Sequence, residues 1–245
     1  MQRPINAQII VPCLNEEISI PAFLNELENF RRQLLLNPQT MNLVFDFIFV
    51  DNGSTDRSHA LLSQHCLAYP NDRIIVCLGK GYGRALKEGF KQASAQFVGF
   101  LDLDCTYPIK SLVDLHSQIS LNPELDVIIA NRMTKWSKMP PLRALGNWIY
   151  IFLIALVYRK KLKDACSGMR LFRSRLLTTV LKLENNGLGF SIEMTCRMLL
   201  ENWAYQFVDI IYNERSGPSK LNIVTDGFSF LNQIFNSKRI QYDKT

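Results

Sequence analysis

Five short apolar runs alternate with helix-period segments over the first 132 residues, and this alternation constrains the fold more than any other feature. The runs lie at 7–11, 44–50, 73–78, 97–101 and 126–130. Between the first two, Ile20, Phe23, Leu24, Leu27, Phe30 and Leu34 recur at helical spacing within 16–36. Pro21 fits only in the first turn of that helix, which sets its start near Ser19. Helices are expected at 56–67, with Ser54 or Thr55 as its cap, and at 84–95 and 109–121. Apolar strands alternating with helices predict an α/β chain: a mainly parallel central sheet with helices on both faces.

Past Arg132 the pattern changes. Met139-Pro140-Pro141 breaks the chain, and helices follow at 142–158, 173–183, 191–203 and 226–240, with a strand at 205–211. The sequence contains no internal repeat, low-complexity tract or clear linker, so one domain over 1–245 is expected. With 47% hydrophobic and 20% charged residues, a packed core is expected and disorder is not. The six cysteines form no C-x-x-C pair and no histidine cluster joins them, which argues against zinc or a disulfide framework and for a reducing, cytoplasmic setting. Residues 1–8 lack the apolar core of a signal peptide. The longest apolar run, 148–158, is shorter than the roughly 20 residues of a spanning helix. A net charge of +6 suits anionic partners.

Chemistry is expected where strands end. Asp102 and Asp104 close the fourth run two residues apart, and Pro108 stops the chain beyond them. Carboxylates at the carboxyl edge of a parallel sheet sit where ligands bind. Two acids so close repel unless a cation lies between them, and hard cations such as Mg²⁺ or Mn²⁺ take carboxylate oxygen together with substrate phosphate. The plainer reading is an acidic turn. Three more strand ends carry polar or glycine-rich groups: Asn15-Glu16-Glu17, Asp51 to Asp56, and Gly79 to Gly83 with Lys80 and Arg84 nearby. Asp51 can accept from a base edge or a ribose, and the glycine turn admits phosphate or sugar. Gly79-x-Gly81-x-Gly83 also raises a dinucleotide site, but Arg84 stands where a third glycine is needed and the turn follows the third strand.

These pieces together resemble family 2 glycosyltransferases. Val11-Pro12-Cys13-Leu14-Asn15-Glu16-Glu17 resembles their V-P-x-x-N-E-E opening, and Asp51-Asn52-Gly53-Ser54-Thr55-Asp56 their D-D-G-S-x-D turn. Lys80-Gly81-Tyr82-Gly83-Arg84-Ala85 is similar to K-G-x-G-x-A, and Asp102-Leu103-Asp104 to D-x-D. In the second half, Asp164-Ala165-Cys166-Ser167-Gly168-Met169-Arg170 resembles D-x-x-S-G-F-R. Gly189 to Glu193 resembles G-F-x-x-E, and Arg215 to Leu221 resembles R-x-G-x-S-K-L. The set is similar to the dolichol-phosphate mannose synthase and polyprenyl-phosphate glycosyltransferase branch, and it covers residues 7–225. Departures are Asn52 for a second Asp, Thr106 for Gln, Ala130-Asn131 for Gly-Ser, and Met169 for Phe.

The resemblance implies a Rossmann-like GT-A fold, with a nucleotide-sugar-binding half at 1–132 and an acceptor-side half at 133–245. It implies an inverting, metal-dependent hexosyltransferase that uses Mg²⁺ or Mn²⁺ at Asp102 and Asp104. The expected donor-binding residues are Pro12, Leu14, Asn15, Glu16, Asp51, Asn52, Lys80, Gly81, Arg84, Asp102, Leu103 and Asp104. Asp104, Arg132, Asp164 and Glu193 are the expected catalytic residues, the last two as bases if the acceptor is a hydroxyl. Cations for the acceptor phosphate are Arg132, Arg143, Arg170, Arg215 and Lys220. The donor is of the GDP-mannose or UDP-glucose type and the acceptor a polyprenyl or dolichyl phosphate; a glycan or small-molecule acceptor, or a non-catalytic relative that binds lipid or a partner, is the alternative. Segment 142–161, aromatic and apolar with Arg159-Lys160-Lys161 at its end, is expected to lie in the lipid–water interface on the cytoplasmic face, without spanning the membrane. Branch members often carry membrane helices after the catalytic domain; this chain ends at Thr245 without one, so a separate anchor protein is an expected partner and nucleic acid is not.

Overall fold

The computed structural model describes residues 6–215, 217 and 223–242. One seven-stranded sheet forms the centre, in the order β3-β2-β1-β4-β6-β5-β7. Its strands are β1 (Ala7–Cys13), β2 (Phe45–Asp51), β3 (Arg73–Val76), β4 (Phe97–Phe100), β5 (Val127–Asn131), β6 (Arg170–Arg173) and β7 (Tyr205–Asp209). β1, β2, β3 and β4 run parallel, as do β5 and β7, and β6 alone runs antiparallel to its neighbours β4 and β5. Every residue of β2, β4 and β5 is buried, which is why those runs are mostly apolar and do not alternate, Asp46, Asp51 and Asn131 being the polar exceptions.

Helices cover both faces. α1 (Ile20–Leu36), α2 (Ser58–Ala68) and α4 (Ser111–Leu121) pack on one side, where Phe23, Leu27 and Phe30 meet Phe47, Phe49 and Leu115. On the other side lie α3 (Tyr82–Lys91), α5 (Pro141–Tyr158), the one-turn α6 (Leu177–Val180), α7 (Phe190–Leu200) and α8 (Ile223–Tyr242), around Phe90, Phe100, Phe172 and Phe190.

Three local expectations need correction. The stretch expected as a helix over 173–183 is a strand end, a 3₁₀ turn at Ser174–Leu176 and then α6. Neither Ser54 nor Thr55 caps α2: the Ser58 amide donates to Asp56 Oδ1 at 2.9 Å, and Ser54 Oγ instead accepts from the Asn15 amide at 3.0 Å. The helix expected at 142–158 forms, but the apolar run 148–158 alone understated its membrane reach. α5 has 18 residues and is the one helix among those described that is long and apolar enough to cross a membrane. Only Asn147, Ile151 and Ile154 along it are buried. Leu142, Leu145, Trp148, Ile149, Phe152 and Leu156 stand exposed.

Candidate active site

The chain leaves β1 first to one side, to β2 and β3, and then to the other, to β4. The carboxyl ends of β1 and β4 therefore flank the point where the strand order reverses, which is where open α/β sheets leave a crevice. Here a cavity of about 460 Å³ opens. Pro12, Leu14 and Glu16 enter it from the end of β1, and Asp102, Leu103 and Asp104 from the end of β4. Asn52, Gly81 and Tyr82 close one side, and Arg132, Arg143, Tyr212 and Arg215 another. Met139, Leu142, Tyr150, Leu188 and Phe230 give it an apolar end between α5 and α8.

The acidic side is built tightly. Tyr82 Oη donates to Asp102 Oδ1 at 2.7 Å. Burial, then the neighbouring Asp104 charge, pushes Asp102 up to about 7, against the opposing pull of Tyr82, Arg132 and Arg215. Asp104 Oδ1 accepts from the amide and hydroxyl of Thr106, at 3.1 and 2.5 Å. Its Oδ2 accepts from Arg215 at 2.6 Å, and the same guanidinium reaches Glu16 at 3.2 Å. So Thr106, the departure from the family's Gln, orients Asp104.

Asn52 fills both roles of its amide on the glycine turn: Nδ2 donates to Gly79 O at 2.7 Å, and Oδ1 accepts from the Gly81 amide at 2.7 Å. An ionised Asp there could accept but not donate. Gly81 holds φ +134, and a Cβ on it would collide with the backbone oxygen of Asn186.

On the cationic side Arg132 Nε and Nη2 grip Asp164 at 2.7 and 2.8 Å, while the guanidinium lies over the rings of Tyr107 and Tyr212 at 6.0 and 5.6 Å. Burial disfavours the charge on Arg132, but Asp164 beside it prevails and raises its pKa above the usual value. Burial likewise opposes ionisation of Asp164, and Arg132 with its hydrogen bonds holds that carboxyl below the usual range.

Several expected site residues lie elsewhere. Asp164 is fully buried and also accepts from the amides of Arg132 and Cys166 and from Asn147 on α5. A carboxylate so filled with donors and held ionised has little capacity left to take a proton, and its hydrogen bonds fix the Arg132 side chain. Glu193 is buried and accepts from the amides of Glu184 and Asn185 at 2.8 and 2.7 Å, tying down a loop. Arg170 is corrected too. The antiparallel register of β6 turns it into the core, where it donates to the carbonyls of Ser167, Ala165 and Ser191. Asp51 accepts from the Ser54 amide and pairs with His59, and Asn15 binds the Thr55 amide, so both shape the β2 turn from outside the cavity. Lys80 is exposed and Arg84 packs against Gly79; neither lines the cavity. Lys220 lies outside the described residues. Sequence reasoning passed over Tyr82, Asn147 and Tyr212. Only Tyr82 had a signal, as the variable position inside K-G-x-G.

The model of glycosyl transferase family 2 matches residues 8–181, from β1 through α6. The chain belongs to this family. It is 31% identical over 177 residues to a dolichyl-phosphate hexose transferase of Haloferax volcanii, covering 72% of this chain and 74% of that protein. It is 26% identical over 239 residues to a dolichol-phosphate mannosyltransferase of Pyrococcus furiosus, covering 94% of this chain and 63% of that protein. Among solved structures, glucosyl-3-phosphoglycerate synthase of Mycobacterium tuberculosis, in complex with Mn²⁺, UDP and phosphoglyceric acid, superposes with a TM-score of 0.74 at 16% identity, covering 95% of this chain and 78% of that one. The fold is GT-A, and the protein is a family 2 glycosyltransferase.

Proposed function

We propose that this glycosyltransferase moves a hexose from a nucleotide-sugar to a polyprenyl phosphate at a membrane surface, using Mg²⁺ or Mn²⁺. The observation that carries this reading is the composition of one cavity. Its carboxylates Glu16, Asp102 and Asp104 suit a metal–diphosphate, its guanidiniums Arg132 and Arg143 a phosphate, and its apolar end an isoprenoid chain. The names of the Haloferax and Pyrococcus relatives agree with it.

The residues fit a hard divalent ion. The donors are all carboxylate oxygens, and Arg215 already seats a positive charge between Glu16 and Asp104. Among the described residues no three His, Cys, Asp or Glu side chains are grouped to hold a metal by themselves, so Asp102 and Asp104 would hold the ion together with oxygens of the donor diphosphate. When bound, the ion supplies Lewis-acid neutralisation of the leaving diphosphate. Arg132, with Nε and Nη2 engaged by Asp164, offers Nη1 to a phosphate oxygen. A phosphate acceptor is anionic at neutral pH and needs no base. Its oxygen attacks the anomeric carbon as the bond to the diphosphate breaks, the electron pair leaves with the nucleoside diphosphate, and the centre inverts. The exposed stripe of α5, followed by Arg159, Lys160 and Lys161, lies in the interface and brings the lipid to the apolar end. A cytoplasmic face fits the free cysteines.

The deciding assay is a panel of nucleotide-sugars, with and without polyprenyl phosphate and Mn²⁺, read by product mass. One donor is expected to give a lipid-linked sugar only with metal. Absence of transfer from every donor, with nucleotide binding unchanged in Asp104→Ala, would sink the reading.

A further inference from the structure

Asp102 is held from two sides. Tyr82 Oη binds Oδ1 at 2.7 Å, and Gly168 lies flat against the carboxylate, so that a Cβ at 168 would collide with Oδ2. Tyr82 is in turn held by the turn before it. Asn52 bridges Gly79 O and the Gly81 amide, fixing the backbone one residue ahead of Tyr82 at the start of α3. The Arg84 amide donates to Asn186 O and the Gly83 amide to Gly187 O, pinning the same turn from α7's side. The aromatic ring thus enters the cavity on a rigid base with a single hydrogen bond to give.

We propose that Tyr82 is a positioning residue for the metal–diphosphate clamp, and that Asn52 serves the clamp by setting Tyr82. The inference deepens the metal reading above and rests on it. The Tyr82 hydroxyl fixes the rotamer of Asp102, so the carboxylate meets the cation without reorganising. It also accounts for the departure at Asn52. The charge of an Asp is given up there for a donor, because the glycine turn has a carbonyl to satisfy at Gly79 and Asp102 needs a rigid neighbour.

The test titrates Mn²⁺ by EPR, alone and then with UDP and with GDP, against wild type, Tyr82→Phe, Asn52→Asp and Asp104→Ala. Tyr82→Phe keeps the ring and removes only the hydroxyl. It is expected to weaken Mn²⁺ binding roughly 10–100-fold, the range typical for loss of a group that orients a metal ligand. Asn52→Asp is expected to move affinity the same way and by less. Asp104→Ala is expected to abolish binding. If Asp104→Ala loses Mn²⁺ and Tyr82→Phe does not, the positioning role is overturned and the metal reading stands. If Asp104→Ala binds Mn²⁺ like wild type, both fall. A change in melting temperature of Tyr82→Phe with unchanged Mn²⁺ affinity marks a packing role only and also overturns the proposal.

Discussion

At the scale of single residues, the Arg132–Asp164 pair separates two roles that look alike in a sequence. Asp164 is fully buried, and its removal leaves a guanidinium that is mostly buried and unpaired. Breaking such a pair costs about 3–5 kcal/mol. Asp164→Ala is therefore expected to lower the urea midpoint strongly and to lose transfer together with structure. A residue acting as a base would instead lose turnover at nearly wild-type stability. Gly81→Ala places a Cβ on the backbone oxygen of Asn186 at a φ that side chains rarely adopt. A loss of about 1–3 kcal/mol is expected from the backbone strain alone, measurable by thermal melting.

At the scale of elements, α5 has two faces with different duties. Asn147 on the inner face reaches Asp164 at 3.1 Å and accepts from the Ala165 amide at 3.3 Å, so the helix is fastened to the residue that holds Arg132. The outer face presents Trp148 and Phe152 at 60% and 67% exposure, too open to support the core. Trp148→Glu with Phe152→Glu is expected to abolish co-sedimentation with anionic vesicles while shifting stability by under about 0.5 kcal/mol, as for ordinary surface changes. Retained vesicle binding would show that α5 is not the docking element. The central parallel strands of the first half were legible because burial on both sheet faces leaves mostly apolar runs, and α1 because its buried side chains recur at helical spacing. β6 was not: its four residues begin and end in arginine, and it is antiparallel pairing with β4 and β5, both earlier in the chain, that makes it a strand. The carboxylates at the ends of β1 and β4 were legible for the same topological reason. Asp164, Arg170 and Glu193 lie behind the cavity wall and not on it, a placement hidden in the sequence because a charged residue in a motif looks the same whether its partner is a ligand or a buried group of the protein. The partner is decided by tertiary register.

At the scale of the whole molecule, buried charge shapes the response to pH. Asp46 on β2 is buried, and burial followed by the nearby Asp72 charge raises it from 3.8 to about 6. The folded state therefore binds a proton more tightly than the unfolded chain. Asp46 costs nothing below the unfolded pKa, and its penalty grows as pH rises to the folded value and is constant above it. Asp46→Asn is expected to gain about 2 kcal/mol over wild type between pH 4 and 7 in chemical denaturation; equal slopes against pH would contradict this. The strand order carries a consequence of another kind. Among the described strands β5 pairs with β6 and β7, and both are made after it. During synthesis, residues 127–131 leave the ribosome with no strand to join, and β4 keeps an open edge until residue 173 has emerged. The segments before and after residue 132 are thus not separable folding units. A fragment cut at 132 is expected to expose an unpaired strand edge and to aggregate, which light scattering of the purified fragment would check.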